Sequence, residues 1–141
     1  SNTDCIVVFS PAWAKRIGSM RAYIWSIPSL WVINRYAFNL PTVEFFDELY
    51  WYIQEKTKNY TIPAFENYVT TLSTGRFNKT HSWTREDSGV PQSPQQCTLQ
   101  TFIRNKIHHP ENSTMSSTNY TDRELSQSIQ EMMNCITANS L

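Results

Sequence analysis

The chain has 141 residues, of which 40 % are hydrophobic and 13 % are aromatic. This length suits one domain with one core, and this apolar content excludes a chain that is disordered throughout. Twelve Lys and Arg residues balance twelve Asp and Glu residues. The overall charge therefore excludes general attraction to nucleic acid or membranes, and any anion-binding site must be local.

The first forty residues contain one strand pattern and one helix pattern. Residues 5–9 are apolar and mostly β-branched between polar neighbours, which predicts a buried strand. Ser10, followed by proline, suits the start of a helix that apolar residues at helical spacing continue to about Trp25. Residues 30–36 fit a strand or a buried helix equally well. We interpret residues 1–40 as a strand and helix segment that suits the tail of an upstream domain in a longer protein.

Two helices are predicted next, before the pattern changes. Pro41 and Thr42 open the first, and apolar residues on one side continue it to Ile53. The second runs over residues 63–72. Residues 75–96 then lose the apolar rhythm and contain glycine and proline among polar residues, which predicts a long surface loop.

The last forty residues predict two helices joined by a polar loop. The first lies over residues 97–108 and ends before Pro110. Thr121 and Glu124 have the spacing of a capping box, in which each side chain bonds the other's backbone N–H, so the final helix starts at Asp122. We expect its apolar stripe to pack on the preceding helix. The stripe contains Leu125, Ile129, Met132, Met133 and Ile136.

These elements predict a mainly α fold, a helical bundle with a short β element at the N-terminus. Residues 41–141 would form the helical domain, with the loop at 75–96. Cys5, Cys97 and Cys135 lack metal-ligand or disulfide-framework spacing, so we expect buried free thiols and neither metal nor cofactor. The apolar stretches are too short to span a bilayer, and we expect a cytoplasmic protein.

A cationic cluster near the end of the helix over 97–108 is the strongest chemical signal. Arg104, His108 and His109 would project to one side of a regular helix. A guanidinium matches phosphate bidentately and an imidazole moves protons near neutral pH, a pair that suits metal-independent phosphodiester cleavage. The alternative is structural, because basic residues at a helix C-terminus also offset the helix dipole.

Residues 102–112 and 120–133 resemble the C-terminal part of bacterial HEPN-type domains. The signature of that superfamily is Arg, a polar residue, three further residues and His. Here it reads Arg104-Asn105-Lys106-Ile107-His108-His109. The resemblance implies that Arg104 and His109 are catalytic and that Asn105 supports them. His108 is an additional supporting candidate, and Lys106 is a candidate for substrate binding.

The resemblance also implies a biological setting. It implies a homodimer that cleaves RNA without metal, in a toxin–antitoxin or phage-defence system with an antitoxin or ATPase partner. Residues 4–10 are similar to a late core strand of ATPases that carry such a module. One alternative is a HEPN-like module that dimerises or binds a partner without catalysis.

A third interpretation is a secreted glycoprotein domain. The sequence contains four Asn-x-Ser/Thr acceptor patterns, which suit such a protein. The odd number of cysteines and the Ser/Thr/Asn-rich composition argue against it. The four acceptors are Asn59, Asn78, Asn112 and Asn119.

Overall fold

The structure, a computed structural model, describes residues 41–141. All of them except Pro41 belong to one compact unit, Thr42–Leu141. The strand predicted over residues 5–9, the helix to Trp25 and the undecided segment 30–36 lie outside the described residues.

Two helices begin where the sequence places them. α1 comprises Val43–Thr57, and the hydroxyl oxygen of Thr42 accepts the backbone N–H of Phe45 at 3.2 Å. α2 comprises Ile62–Thr71, and Thr61 caps it in the same way through its side chain. Such contacts satisfy N–H groups that have no partner inside the first turn, which is why both helices start after a threonine.

The predicted pair of C-terminal helices is also confirmed. α3 comprises Leu99–His108 and α4 comprises Asp122–Ala138, with a short 3₁₀ turn at Ser113–Met115 between them. The capping box of Thr121 and Glu124 is formed in both directions. The spacing of polar and apolar residues was therefore sufficient to locate these helices.

The predicted loop at 75–96 is wrong, because much of this segment is paired in strands. β1 (Lys79–Trp83) pairs antiparallel with β4 (Gln95–Thr98). Between them, β2 (Glu86–Asp87) pairs antiparallel with β3 (Val90–Pro91). Ser88 and Gly89 join β2 to β3 with φ angles of 49° and 77°, and two successive positive φ angles are typical of a tight hairpin turn.

The fold-class prediction needs correction for the same reason. Of the described residues, 54 % are helical and 13 % are in strands, so the domain is mixed α/β rather than mainly a helical bundle with β structure at its N-terminus. The β element lies between α2 and α3. Its strands are largely exposed and polar, and therefore lack the alternation of apolar residues that predicts a strand.

The core lies between the helices, and α4 packs mainly on α1 rather than on α3. Our expectation that α4 packs on α3 therefore describes the smaller of these two contacts. Gly75 helps to close the packing, since its φ is +64° and an added Cβ would lie 2.8 Å from the Cα of Cys135. The largest fully buried side chains include Phe46, Ile53, Phe65, Phe102, Ile103, Met132 and Ile136.

The buried state of two cysteines is confirmed. Cys97 and Cys135 are buried free thiols, and burial raises the pKa of Cys97 to about 12 and that of Cys135 to about 11. Both thiols are therefore protonated near neutral pH. Within residues 41–141, every helix falls short of the length and apolar content that crossing a bilayer requires.

Candidate functional site

The two residues predicted to be catalytic meet a common neighbour at the C-terminal end of α3. His109 follows the helix, and its backbone N–H donates to the carbonyl oxygen of Asn105 at 2.9 Å. Nη1 of Arg104 donates to the side-chain oxygen of Asn105 at 3.1 Å. Asn105 is buried, with 5 % of its surface exposed. The Asn105 side chain therefore fixes one nitrogen of the guanidinium, while the bond from the His109 N–H is the last backbone hydrogen bond of α3.

The His109 imidazole is accessible and has a carboxylate partner. Its side chain is 46 % exposed, and Nδ1 lies 3.2 Å from Oε1 of Glu111. The pKa of Glu111 is lowered, first by a hydrogen bond from its own backbone N–H and then by His109. A carboxylate at Nδ1 favours the tautomer with the proton on Nδ1, which leaves the lone pair on Nε2. The arrangement suits proton transfer at Nε2.

The other two predicted site residues make contacts within the fold. Nε2 of His108 lies 3.3 Å from Oδ1 of Asp47 on α1. Nζ of Lys106 donates to the carbonyl oxygen of Met115 at 2.8 Å. The structure therefore joins Arg104 and His109 through Asn105, while His108 and Lys106 connect α3 to α1 and to the 3₁₀ turn.

Trp83 is a neighbour of the site that lies in the segment predicted to be a loop. It is 9 % exposed on β1 and packs edge to face on Phe102 of α3, with ring centroids 6.2 Å apart. Its ring centroid lies 6.5 Å from that of His109. The sequence analysis also missed Glu111, although a carboxylate two residues after His109 could have indicated a partner for the imidazole. The position of Trp83 depends on strand pairing that the sequence did not reveal.

The segment after His109 is held against the β element. Oε2 of Glu86 accepts the hydroxyls of Ser113 and Thr114 and the backbone N–H of Thr114, all between 2.8 and 3.0 Å. These hydrogen bonds lower the pKa of Glu86. Because the contacts begin two residues after Glu111, they restrict the turn that carries the partner of His109.

One of the four glycosylation acceptors contributes to the same attachment. Asn112 is 7 % exposed, and its side-chain nitrogen donates to the carbonyl oxygen of Thr84 at 2.9 Å. A sugar on this nitrogen would have to displace that contact and enter a buried space. The structure therefore argues against glycosylation at Asn112 in the folded domain.

A cleft of about 380 Å³ adjoins α3, and its lining includes neither Arg104 nor His109. It is formed by residues of α2, the paired strands β1 and β4, and α3. Two of its lining residues, Trp83 and Asn105, also contact the predicted catalytic residues. The lining includes Glu66, Asn67, Lys79, Trp83, Gln96 and Asn105.

The cleft reaches a buried carboxylate at the N-terminal end of α3. Glu66 is 6 % exposed; its Oε1 accepts the hydroxyls of Thr98 and Thr101, and its Oε2 accepts the backbone N–H of Thr98 at 3.1 Å. The hydroxyl of Tyr50 lies 3.2 Å from that of Thr101, and burial raises the pKa of Tyr50 above its usual range. An anion at a helix N-terminus is favoured by the helix dipole. The network therefore joins α1, α2 and α3.

Comparisons of the chain with models of protein families, with curated proteins and with solved structures found no match. Within the part of the chain that the structure describes, no group of three or more His, Cys, Asp or Glu side chains is arranged to hold a metal ion. The functional argument therefore rests on the side chains themselves.

Proposed function

We propose that this domain is a HEPN-like endoribonuclease that cleaves RNA without a metal ion, with His109 transferring protons and Arg104 stabilising the phosphate. The observation that carries the proposal is the double contact of Asn105 with the Arg104 guanidinium and with the His109 backbone. The Arg104 guanidinium, which can bind phosphate, and the exposed His109 imidazole therefore belong to one short motif.

The reaction follows from the chemistry of these groups. The 2′-hydroxyl of the RNA loses its proton to Nε2 of His109, and its oxygen forms a bond to the adjacent phosphorus. The bond from phosphorus to the 5′-oxygen breaks, and that oxygen takes up a proton. The products are a 2′,3′-cyclic phosphate and a 5′-hydroxyl. Arg104 stabilises the negative charge that develops on the phosphate oxygens.

A second copy of the chain would supply the second proton carrier. The imidazole that removes the 2′-hydroxyl proton cannot protonate the leaving oxygen from the same nitrogen at the same moment, whereas His109 of a second copy can. Among the described residues, the large hydrophobic side chains that are exposed are Tyr60 and Val90. These two residues do not make up a large apolar face, so dimerisation stays a prediction from the resemblance and from this proton balance.

The proposed setting is a cytoplasmic toxin–antitoxin or phage-defence system. RNA is the substrate, and an antitoxin or an ATPase would control when cleavage occurs. The resemblance of the Arg104–His109 motif to HEPN-type domains supports this setting.

The second candidate is a HEPN-like interaction module without catalysis. Lys106 and His108 favour it, because both make contacts within the fold instead of extending a basic surface for the RNA backbone. Proteins that bind nucleic acid strongly make several contacts between basic side chains and phosphate groups.

Cleavage of single-stranded RNA in excess EDTA tests the proposal. The parent protein should cleave and leave 2′,3′-cyclic phosphate ends. Arg104→Ala should lower the turnover rate by ~100-fold, the scale of losing one donor to a developing oxyanion. Arg104→Lys is the matched control, because it keeps the charge and loses the planar fork, and it should retain an intermediate rate.

Two results would contradict the nuclease. One is folded Arg104→Ala protein that cleaves at the parental rate. The other is a folded parent protein that leaves RNA intact both in EDTA and in Mg²⁺. If that inactive protein still binds RNA or a partner protein, the result would support the interaction module.

A further inference from the structure

The turn that follows α3 is held by β2 and by the short connection between β1 and β2. Oε2 of Glu86 accepts three hydrogen bonds from Ser113 and Thr114. The side-chain nitrogen of Asn112 donates to the carbonyl oxygen of Thr84 at 2.9 Å. All four contacts join residues that are at least 27 positions apart in the sequence. The turn is therefore fixed by tertiary contacts in addition to its own local hydrogen bonds.

This turn begins at the imidazole that is proposed to transfer protons. The backbone N–H of Asn112 donates to the carbonyl oxygen of His109 at 3.2 Å. Glu111 lies between these two residues in the sequence, and its Oε1 is 3.2 Å from Nδ1 of His109. The imidazole and its carboxylate partner therefore both belong to the segment that Glu86 holds.

The contact between His109 and Glu111 depends on such support because both side chains are exposed. The exposed fractions are 46 % for His109 and 72 % for Glu111, so water competes for the hydrogen bond and the two side chains lose conformational entropy when they pair. A fixed backbone lowers this cost because it already holds the two groups near each other. Since three donors converge on one oxygen of Glu86, removing that carboxylate removes all three ties at once.

We propose that Glu86 is a positioning residue for His109. It holds the turn that places Glu111 at Nδ1, and through Glu111 it keeps the proton on Nδ1 and the lone pair on Nε2. The benefit of this tautomer for RNA cleavage rests on the proposed function, whereas the effect of Glu86 on the tautomer does not require catalysis.

The tautomer of His109 in the full chain tests the proposal. The ¹⁵N NMR shifts of the two ring nitrogens report which of them carries the proton at alkaline pH, where an imidazole is neutral, and His109→Ala identifies the signals. The proton should lie mainly on Nδ1 in the parent. Glu111→Ala removes the partner itself and should move the proton population toward Nε2. Glu86→Ala should move it in the same direction.

Two further variants control for charge and for folding. Asp87→Ala removes the neighbouring exposed carboxylate on β2 and should keep the parental tautomer. Glu86→Gln retains an amide oxygen that can accept about two hydrogen bonds, so its tautomer ratio should lie between those of the parent and Glu86→Ala. Backbone amide spectra show whether each variant is folded, and Glu86→Gln decides the test if Glu86→Ala is unfolded.

Three results would overturn the positioning role. The first is the parental tautomer in folded Glu86→Ala, or in Glu86→Gln where that variant decides. The second is an equal change in Glu86→Ala and Asp87→Ala, which would reflect charge and not the turn. The third is the parental tautomer in Glu111→Ala, because Glu111 would then not determine where the proton lies.

Cleavage kinetics separate this proposal from the proposed nuclease. Glu86→Ala should lower kcat about tenfold and leave KM nearly unchanged, because the position of a proton carrier affects the chemical step more than binding. A changed tautomer in Glu86→Ala, with a parent that leaves RNA intact, would keep the positioning role and reject the nuclease. Cleavage that requires His109, with the parental tautomer in Glu86→Ala, would keep the nuclease and reject the positioning role.

Discussion

The two ends of α3 hold ionisable side chains in contrasting surroundings. At the N-terminal end, the Glu66 carboxylate is 6 % exposed and accepts hydrogen bonds from Thr98 and Thr101. At the C-terminal end, the His109 imidazole is 46 % exposed and contacts the more exposed Glu111. These ends belong to one helix of ten residues, so the same packing supports both.

The contrast indicates a division between stability and chemistry. A buried carboxylate must keep its hydrogen-bond partners, because the free energy of leaving such groups unpaired is large. An exposed imidazole can exchange protons with solvent and substrate at little structural cost. We therefore expect substitutions at the buried end to change the free energy of unfolding, and substitutions at the exposed end to change the cleavage rate.

Removing the core that supports both ends should have the largest effect. Ile129 is 5 % exposed on α4, so Ile129→Asp places an unpaired charge in the core and should abolish cooperative folding. Circular dichroism during heating would show this loss. Gln130→Asp changes the exposed neighbour and should melt near the parental temperature. A parental melting curve for Ile129→Asp would show that the described core is wrong.

Removing the carboxylate at the buried end should have the next largest effect. Glu66→Ala leaves the hydroxyls of Thr98 and Thr101 without their acceptor and should lower the free energy of unfolding by about 3 kcal/mol. Urea titration measures this change. Glu111→Ala removes the exposed carboxylate at the other end and should leave the urea midpoint unchanged. Equal urea midpoints for Glu66→Ala and Glu111→Ala would contradict the proposed difference in stability between the two ends of α3.

Lowering the pH should have a smaller effect on the stability of the domain. The pKa of Glu124 is lowered from 4.5, first by the hydrogen bond from the Thr121 backbone and then by His81. The ionised form therefore stabilises the folded state; this contribution is complete above pH 4.5 and is lost as the pH falls through the lowered pKa.

Melting temperatures measured between pH 6 and pH 3 would test the contribution of Glu124. Glu124→Gln keeps a side chain that can close the capping box, and its melting temperature should fall less over this range than that of the parent. An identical fall in both proteins would place the acid sensitivity elsewhere.

The sequence predicted the helices better than their arrangement. The stripe from Leu125 to Ile136 and the capping residues located α4, because helical spacing and caps are local signals. β1 was missed because it is polar and its partner β4 begins twelve residues after β1 ends. Because the pairing of β1 with β4 was not predicted, the contact of Trp83 with α3 was not predicted either.

The sequence predicted only part of the candidate site, for a similar reason. The Arg104–His109 motif is local and was visible, and its catalytic role stays a prediction. Glu66 was not singled out, because one glutamate on a helix is normally solvent-exposed, and only the approach of α2 to the N-terminus of α3 buries it. The contacts of Lys106 with Met115 and of His108 with Asp47 likewise depend on tertiary packing.

The adjacent histidines allow the most direct test of the central claim. His108 and His109 have equally exposed side chains, at 46 % each, and only His109 is placed in the proton-transfer role. The initial rate of RNA cleavage in EDTA and the melting temperature should be measured for His108→Ala and His109→Ala together.

We predict that both variants melt near the parental temperature. His109→Ala should cleave at least ~100-fold more slowly than the parent, which is the scale of general acid–base catalysis. His108→Ala should cleave at about the parental rate. Folded His109→Ala protein that cleaves RNA at the parental rate, or an equal loss in both variants, would contradict the account.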